Sequence, residues 1–209
     1  RGNCGKLFCD KINTKWKKKA IRRKNKVKIY ITGSVASGKS TLARRISQIT
    51  KIPCYHLDEV VHIPAPEEAS GNKKRPIEER DALFHDILNS PDYVMEDAGR
   101  VCFAEGMHQA DIVILLEIPL FIRKKRIITR WLKQKTGLEK CIYKPTFSML
   151  RAMFQWVGDY DSGADGTKAL AAQFDEKKVV LHNNKEIKVY LKTLSDNPSH
   201  KSTKEERET

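Results

Sequence analysis

The chain has 209 residues, a length that suits one domain of medium size with short extensions. Hydrophobic residues make up 40% of the sequence and charged residues 32%, so a packed core beneath a strongly charged surface is expected and disorder throughout is excluded. The longest apolar run, 112–122, is interrupted by Glu117 and Pro119. It is well short of the ~20 residues that cross a bilayer, so no membrane span is predicted.

The cysteine pattern indicates a cytoplasmic protein with reduced thiols. The five cysteines are scattered and include no CxxC pair: Cys4, Cys9, Cys54, Cys102 and Cys141. An odd number without paired spacing predicts neither a disulfide framework nor a zinc site.

The net charge of +14 is concentrated at the start of the chain. Residues 1–28 contain twelve lysines and arginines against Asp10 alone, a local balance of +11. We interpret 1–27 as a basic leader, either a flexible solvated tail or a segment that binds nucleic-acid phosphates. Residues 196–209 contain almost nothing apolar and are predicted to be disordered, which leaves 28–195 as the folded domain.

Predicted strands alternate with predicted helices through this domain. Short apolar and β-branched runs predict strands at 28–32, 53–57, 93–95, 112–116 and 178–181. Apolar residues at helical spacing predict helices at 40–50, 77–88, 119–135, 146–157 and 184–194. Prolines and glycine predict a surface loop over 63–76. This alternation predicts an α/β fold in which helices cover both faces of a parallel sheet.

A phosphate-binding motif stands between the first strand and the first helix. Gly33-Ser-Val-Ala-Ser-Gly38-Lys39-Ser40 matches GxxxxGK[ST] in the structural context that the motif needs. Glycines let successive N–H groups turn towards anionic oxygens, Lys39 supplies charge for the β- and γ-phosphates, and the Ser40 hydroxyl coordinates Mg²⁺. The predicted ATP contacts are Gly33, Ser34, Val35, Ala36, Ser37, Gly38, Lys39, Ser40 and Thr41.

Carboxylates follow two predicted strands, at the edge where parallel sheets bind ligands. Asp58 lies just past the second strand, where it either holds or deprotonates an acceptor hydroxyl, or caps a helix or lies in solvent. Glu96 and Asp97 end the third strand, and one of them is expected to polarise a water on Mg²⁺. Adjacent strand residues point to opposite faces, so the register decides between them. Asp97 is slightly favoured, and a plain turn is the alternative.

The segment 123–144 carries nine basic residues against one acid. On a helix, Arg123, Arg126 and Arg130 are three or four residues apart and can line one face. Phosphoryl transfer needs cations that offset charge on the migrating group, and a mobile lid delivers them while excluding water. We interpret about 123–145 as a small helical lid, although a solvated helix explains about half of these side chains.

Five segments together resemble the adenylate-kinase-like P-loop proteins. They look most like the bacterial DNA topology modulation proteins, small relatives of shikimate and nucleoside monophosphate kinases. The segments are 29–43, 52–58, 110–130, 147–160 and 179–184. The resemblance implies a three-layer αβα P-loop NTPase fold with a five-stranded parallel sheet, ATP with Mg²⁺, an arginine-bearing lid and Asp58 near the acceptor. It also implies that His182, Asn183 and Asn184 lie beside the adenine.

Two functions follow from these patterns. The first is a kinase that moves the γ-phosphoryl group of ATP to a small hydroxyl- or phosphate-bearing acceptor, which the loop 59–76 would select. Its expected catalytic residues are Lys39, Asp58, Arg123, Arg126 and Arg130. The alternative is an ATP-binding protein associated with nucleic acid through the basic leader and the cations of 123–144.

Overall fold

The computed structural model describes residues 26–139, 141 and 143–196. In chain order, its regular elements are β1 (Lys28–Gly33), α1 (Lys39–Thr50), β2 (Cys54–His56), α2 (Leu57–Val61), β3 (His62–Pro64), β4 (Asn72–Lys74), α3 (Ile77–Asn89), β5 (Tyr93–Asp97), a 3₁₀ turn (Val101–Phe103), α4 (Ala104–Gln109), β6 (Ile112–Leu116), α5 (Leu120–Lys135), α6 (Phe147–Ser162), α7 (Thr167–Ala172), β7 (Lys178–Leu181) and α8 (Asn184–Ser195). Most of the predicted leader, 1–25, and the predicted tail from residue 197 onward lie outside the described residues.

Five strands lie side by side in the order β2-β5-β1-β6-β7 and form one parallel sheet. Successive side chains of the central strand β1 point to opposite faces. Ile29 and Ile31 pack with α1 and α8, whereas Tyr30 packs with α3 and α4. Helices therefore cover both faces, and the α/β fold with a five-stranded parallel sheet is confirmed. No helix in the described ranges has the length and apolar character of a membrane span.

The parallel arrangement brings the carboxyl ends of β1, β2 and β5 to one edge of the sheet. The loop 33–40 leaves the end of β1, and α2, which contains Asp58, leaves the end of β2. Glu96 pairs in register with His56, and Asp97 pairs with Thr32. The sheet therefore gathers the predicted phosphate loop and all three predicted carboxylates at one edge.

Short elements account for the differences from the sequence prediction. The predicted loop 63–76 contains a hairpin, in which β3 pairs with β4 in antiparallel register. These three-residue strands are too short to show an alternating pattern, and the prolines and glycine of the segment 63–76 are typical of loops. The helices α2, α4 and α7 have five or six residues, fewer than two turns, so they produce no detectable helical periodicity.

Candidate active site

The loop 33–40 has the backbone shape of a phosphate-binding loop. Gly33, Ala36 and Gly38 have φ values of 144°, 57° and 101°. A β-carbon on Gly33 would lie 2.7 Å from Leu116 O, so that position requires glycine. Gly38 is the N-cap of α1 and makes no side-chain cap hydrogen bond, which leaves the first N–H groups of the helix for an anion.

Side chains of this loop contact the loop backbone and the neighbouring helices. Lys39 lies over the loop, and its Nζ donates a 3.0 Å hydrogen bond to Ser34 O. Val35 and Ala36 pack against an apolar cluster formed by α5 and α6. Ser37 is fully buried, whereas Thr41 is exposed on the first turn of α1. The loop is thus supported from the α5–α6 side.

Ser40, Glu96 and His56 form a hydrogen-bonded group beside the loop. Ser40 Oγ donates to Glu96 Oε1 at 2.8 Å, and His56 Nδ1 donates to the same oxygen at 2.9 Å. Burial on its own raises the pKa of Glu96, but the His56 hydrogen bond, the Lys39 charge and the Ser40 hydrogen bond lower it below its ordinary value. Hydrogen bonds to Cys54 and Glu96 raise the pKa of His56 to about 10 despite its partial burial. Glu96 is therefore held as a carboxylate and His56 as an imidazolium.

Ser40 and Glu96 suit a magnesium ion. Both offer hard oxygen atoms, and Ser40 gives its hydrogen to Glu96, which leaves the hydroxyl lone pairs free for a cation. No group of three or more His, Cys, Asp or Glu within the described residues has the arrangement to hold a metal ion. Mg²⁺ is commonly held by one or two protein oxygens together with substrate phosphates and water, so the two oxygens of Ser40 and Glu96 are enough for it.

Asp97, slightly favoured over Glu96 from the sequence, points to the other side of β5. Its Oδ2 accepts hydrogen bonds from the backbone N–H groups of Gly99 at 2.7 Å and Arg100 at 2.6 Å. Its Oδ1 pairs with Arg100 Nη1, and the Asp97 side chain is fully buried. Asp97 thus holds the turn 97–100, while Glu96 is the acid that contacts Ser40.

Arg100 connects this turn to Asp58. Its Nη2 donates to Asp58 Oδ1 at 2.5 Å, so one guanidinium bridges two carboxylates. Desolvation on its own raises the pKa of Asp58, but the charge and hydrogen bond of Arg100, with the charges of Lys39 and His62, lower it below its ordinary value. Asp58 is therefore an ionised group within the electrostatic reach of the phosphate-loop lysine.

The three arginines expected on one face of a lid helix have different surroundings. Arg123 is 2% exposed and donates to Ile118 O at 2.7 Å and Ser34 Oγ at 2.8 Å, while its Nη2 pairs with Asp161. This guanidinium is fully engaged in holding the loop against α6. The geometry therefore favours a structural role over the transition-state cation expected from the sequence.

Arg126 reaches the phosphate loop and Arg130 does not. Arg126 Nη1 donates to Ala36 O at 3.2 Å and Ser37 O at 2.7 Å. Arg130, one turn further along α5, is half-exposed and donates to Glu139 Oε1 at 3.1 Å. Only Arg123 and Arg126 are thus brought to the loop, and both contact its protein atoms.

The region implied to lie beside the adenine is the first residue of α8 and the two residues before it. Asn183 is the N-cap of α8: its Oδ1 accepts from Glu186 N at 3.0 Å, and its Nδ2 donates to Glu186 Oε1 at 2.7 Å. His182 is exposed and donates its backbone N–H to Glu186 Oε2. Asn184 accepts from Arg126 Nη2 at 3.1 Å, which places it next to the phosphate loop. Asn184 thus contacts an arginine that also bonds the loop, whereas Asn183 caps α8.

The contacts of Thr167 and Lys144 were missed in the sequence because short loops and a six-residue helix give no pattern. Thr167 is buried and donates its hydroxyl to Ala98 O at 2.9 Å, which supports the turn 97–100 from α7. Lys144, between α5 and α6, donates its backbone N–H to Ser70 O at 2.7 Å and its Nζ to Glu68 O at 2.8 Å. The β3–β4 hairpin loop therefore contacts the connection between α5 and α6.

Comparison with solved structures identifies the fold. The chain is similar to shikimate kinase from Acinetobacter baumannii in complex with shikimate, with a TM-score of 0.52, 16% identity and coverage of 80% of this chain and 90% of that chain. A gluconokinase from Sinorhizobium meliloti 1021 gives a TM-score of 0.45 at 14% identity over 81% and 92% of the two chains, a likeness too loose to support an argument. No protein-family model and no curated protein matches the sequence.

This chain has a P-loop kinase-like fold. At 16% identity the likeness shows the fold alone. The reaction and the substrate have to be inferred from the geometry of the site. The narrower resemblance to the DNA topology modulation proteins stays a prediction.

Proposed function

We propose that this protein is a kinase that transfers the γ-phosphoryl group of Mg²⁺-ATP to a small acceptor bearing a hydroxyl or phosphate group. The observation that carries the proposal is the convergence of a phosphate-binding loop, an acid bonded to its serine, and a second ionised acid within reach of its lysine. Each is a part that phosphoryl transfer requires, since that reaction depends on positioning and charge rather than on a covalent enzyme intermediate.

On the donor side, the backbone amides of 33–40 receive the phosphates and Lys39 neutralises their charge. Lys39 is bonded to Ser34 O at 3.0 Å, a neutral acceptor that anionic phosphate oxygens would replace. Ser40 and Glu96 would hold Mg²⁺, which supplies positive charge to the phosphate oxygens when it is bound. Arg126 keeps the loop carbonyls turned towards α5, and therefore away from the phosphates.

On the acceptor side, Asp58 orients the attacking group. An acceptor oxygen forms a bond to the γ-phosphorus as the bond from that phosphorus to the bridging oxygen breaks, and ADP leaves. A hydroxyl acceptor passes its proton to Asp58 or through it to solvent. The lowered pKa of Asp58, which Arg100 maintains against desolvation, makes it a weak base and suits it to orient the hydroxyl and accept the proton late. Arg100 is paired with both Asp58 and Asp97, so it holds Asp58 in position beside the acceptor.

An ADP-release screen at fixed Mg²⁺-ATP tests this function. The panel contains sugars, hydroxy acids, nucleosides and nucleotides, each assayed with wild type, Lys39→Ala, Asp58→Asn and the exposed control Asp86→Asn on α3. We expect at least one acceptor to stimulate ADP release, Lys39→Ala to abolish it and Asp58→Asn to reduce kcat on the order of a hundredfold. Asp86→Asn should match wild type. Wild-type turnover by Lys39→Ala, or ADP release that no acceptor stimulates, would contradict the proposal.

The nucleic-acid alternative is not proposed. It depends on the leader, of which 1–25 lie outside the described residues, and on the cations of 123–144. The comparisons favour a kinase fold and lend no support to a nucleic-acid partner. Lys124 and Lys125 are exposed on α5, as lysines on a solvated helix face normally are.

A further inference from the structure

A histidine stands beside the acid of the phosphate site, on the neighbouring strand. His56 and Glu96 are partners in the parallel register of β2 and β5, so their side chains lie on the same face of the sheet, towards α1. His56 Nδ1 lies 2.9 Å from Glu96 Oε1, the oxygen that also receives the Ser40 hydroxyl at 2.8 Å. Three segments that are distant in sequence therefore meet at one carboxylate oxygen.

These contacts determine which Glu96 oxygen is available to a metal ion. Glu96 is 4% exposed, so its carboxylate needs hydrogen-bond partners to remain charged. Oε1 receives two donors, and no described residue donates a hydrogen bond to Oε2. With Ser40 as its only donor, the Glu96 carboxylate could rotate about that one hydrogen bond. A second donor from another strand fixes its plane.

We propose that His56 is a positioning residue of the phosphate site, which holds Glu96 so that Oε2 and the Ser40 hydroxyl face one Mg²⁺ position. This inference rests on the proposed function. The other ring nitrogen makes a longer contact, with Nε2 4.0 Å from Cys54 Sγ on the same strand. Nδ1 therefore makes the shorter of the two contacts, at 2.9 Å from Glu96. Packing on the edge strand β2 alone would need no donor at position 56.

Matched variants separate the hydrogen bond from side-chain packing. His56→Asn keeps an amide donor near the Nδ1 position, His56→Gln places its amide near the Nε2 position, and His56→Leu fills the space with no donor. Cys54→Ala removes the contact between Cys54 Sγ and His56 Nε2. Titration calorimetry with ADP, in EDTA and again in excess Mg²⁺, gives two Kd values. Their ratio is the affinity that the metal adds, and we call it the Mg²⁺ gain.

We expect wild type, Cys54→Ala and His56→Asn to share the same Mg²⁺ gain. His56→Leu and His56→Gln should lose about tenfold of it, the size expected when the partner of a metal-holding group is removed. Their Kd in EDTA should change less than about twofold, because the loop amides and Lys39 are untouched. The double variant His56→Leu/Glu96→Gln should lose no more of the gain than Glu96→Gln alone.

The contradicting results are equally specific. A full Mg²⁺ gain in His56→Leu or His56→Gln, or equal losses in His56→Asn and His56→Leu, would overturn the positioning role and leave the kinase proposal standing. Should His56→Leu fail to fold, as judged by circular dichroism, the comparison of His56→Asn with His56→Gln decides the question. Absence of ADP binding by folded wild type would overturn the proposed function and this inference together.

Discussion

Arg123 on α5 and Ser34 in the phosphate loop are joined by a hydrogen bond of 2.8 Å between two buried side chains. The same guanidinium pairs with Asp161 on α6 and donates to Ile118 O, so each of its nitrogens has a partner. The loop is therefore connected through one buried cation to α6.

Removal of that cation should destabilise the protein. Arg123→Met leaves Asp161 and the Ser34 hydroxyl without their charged partner. Arg123 is buried but Asp161 is 32% exposed, so the cost of losing these charged hydrogen bonds is about 2 kcal/mol. We expect the free energy of unfolding, measured by urea denaturation, to fall by about that amount. Arg130→Met, which removes only the exposed pair with Glu139, should cost less than about 1 kcal/mol. Equal effects of the two substitutions would show that Arg123 does not hold the loop.

Gly99 and Gly163 form a matched pair for a packing test. Both have positive φ, 94° and 82°, but a β-carbon on Gly99 would lie 2.6 Å from the Thr167 side chain, whereas nothing lies within 4 Å of one on Gly163. Gly163→Ala should cost about 1 kcal/mol for backbone strain alone. Gly99→Ala adds a steric clash in the buried turn beside Asp97, so its loss of thermal stability should be clearly larger. A smaller or equal shift in Tm for Gly99→Ala would contradict this packing.

The raised pKa of His56 predicts a loss of stability at alkaline pH. Hydrogen bonds to Cys54 and Glu96 raise the pKa of His56 from 6.5 to about 10, so the folded protein holds this proton more tightly than the unfolded chain does. The contribution is complete below about pH 6.5 and is lost as the pH rises towards about 10. The difference in free energy of unfolding between wild type and His56→Asn should therefore shrink over that range in metal-free buffer. Urea denaturation at several pH values measures it, and a constant difference would contradict the pair.

Arg126 should matter for nucleotide affinity, and Arg130 should not. Arg126→Met removes two charged hydrogen bonds to the carbonyls of Ala36 and Ser37, which are worth about 1.5 kcal/mol or more in positioning the loop. We expect the Kd for Mg²⁺-ADP to rise by about tenfold. Arg130→Met should change it less than about twofold. Equal Kd values for the two variants in a fluorescence or calorimetric titration would contradict this assignment.

The fold could be predicted from the sequence because its main elements leave clear patterns. β1 is rich in β-branched and aromatic residues, and β6 is a continuous apolar run. α1 shows helical spacing, and the loop between β1 and α1 carries a specific motif. The contacts that individual side chains make could not be predicted in the same way. Arg123, Arg126 and Arg130 share a spacing, yet one is buried against Ser34, one bonds loop carbonyls and one faces Glu139.

The choice between Glu96 and Asp97 shows the same limit in a strand. Alternation along β5 separates the two residues onto opposite faces but does not say which face lies towards α1. That depends on the pairing with His56 on β2, a contact between residues 40 positions apart. Long-range register of this kind has no signature in a single sequence.

The central claim is that the loop 33–40 binds a polyphosphate, because the whole site depends on it. Titration calorimetry tests this claim most directly, with Mg²⁺-ADP and Mg²⁺-ATP titrated into folded wild type and Lys39→Ala. We predict saturable heat at one site in wild type and an affinity weaker by at least about tenfold in Lys39→Ala, because Lys39 makes charge-assisted contacts with the phosphates. Absence of heat with folded wild type, or equal affinity in the two proteins, would contradict the claim.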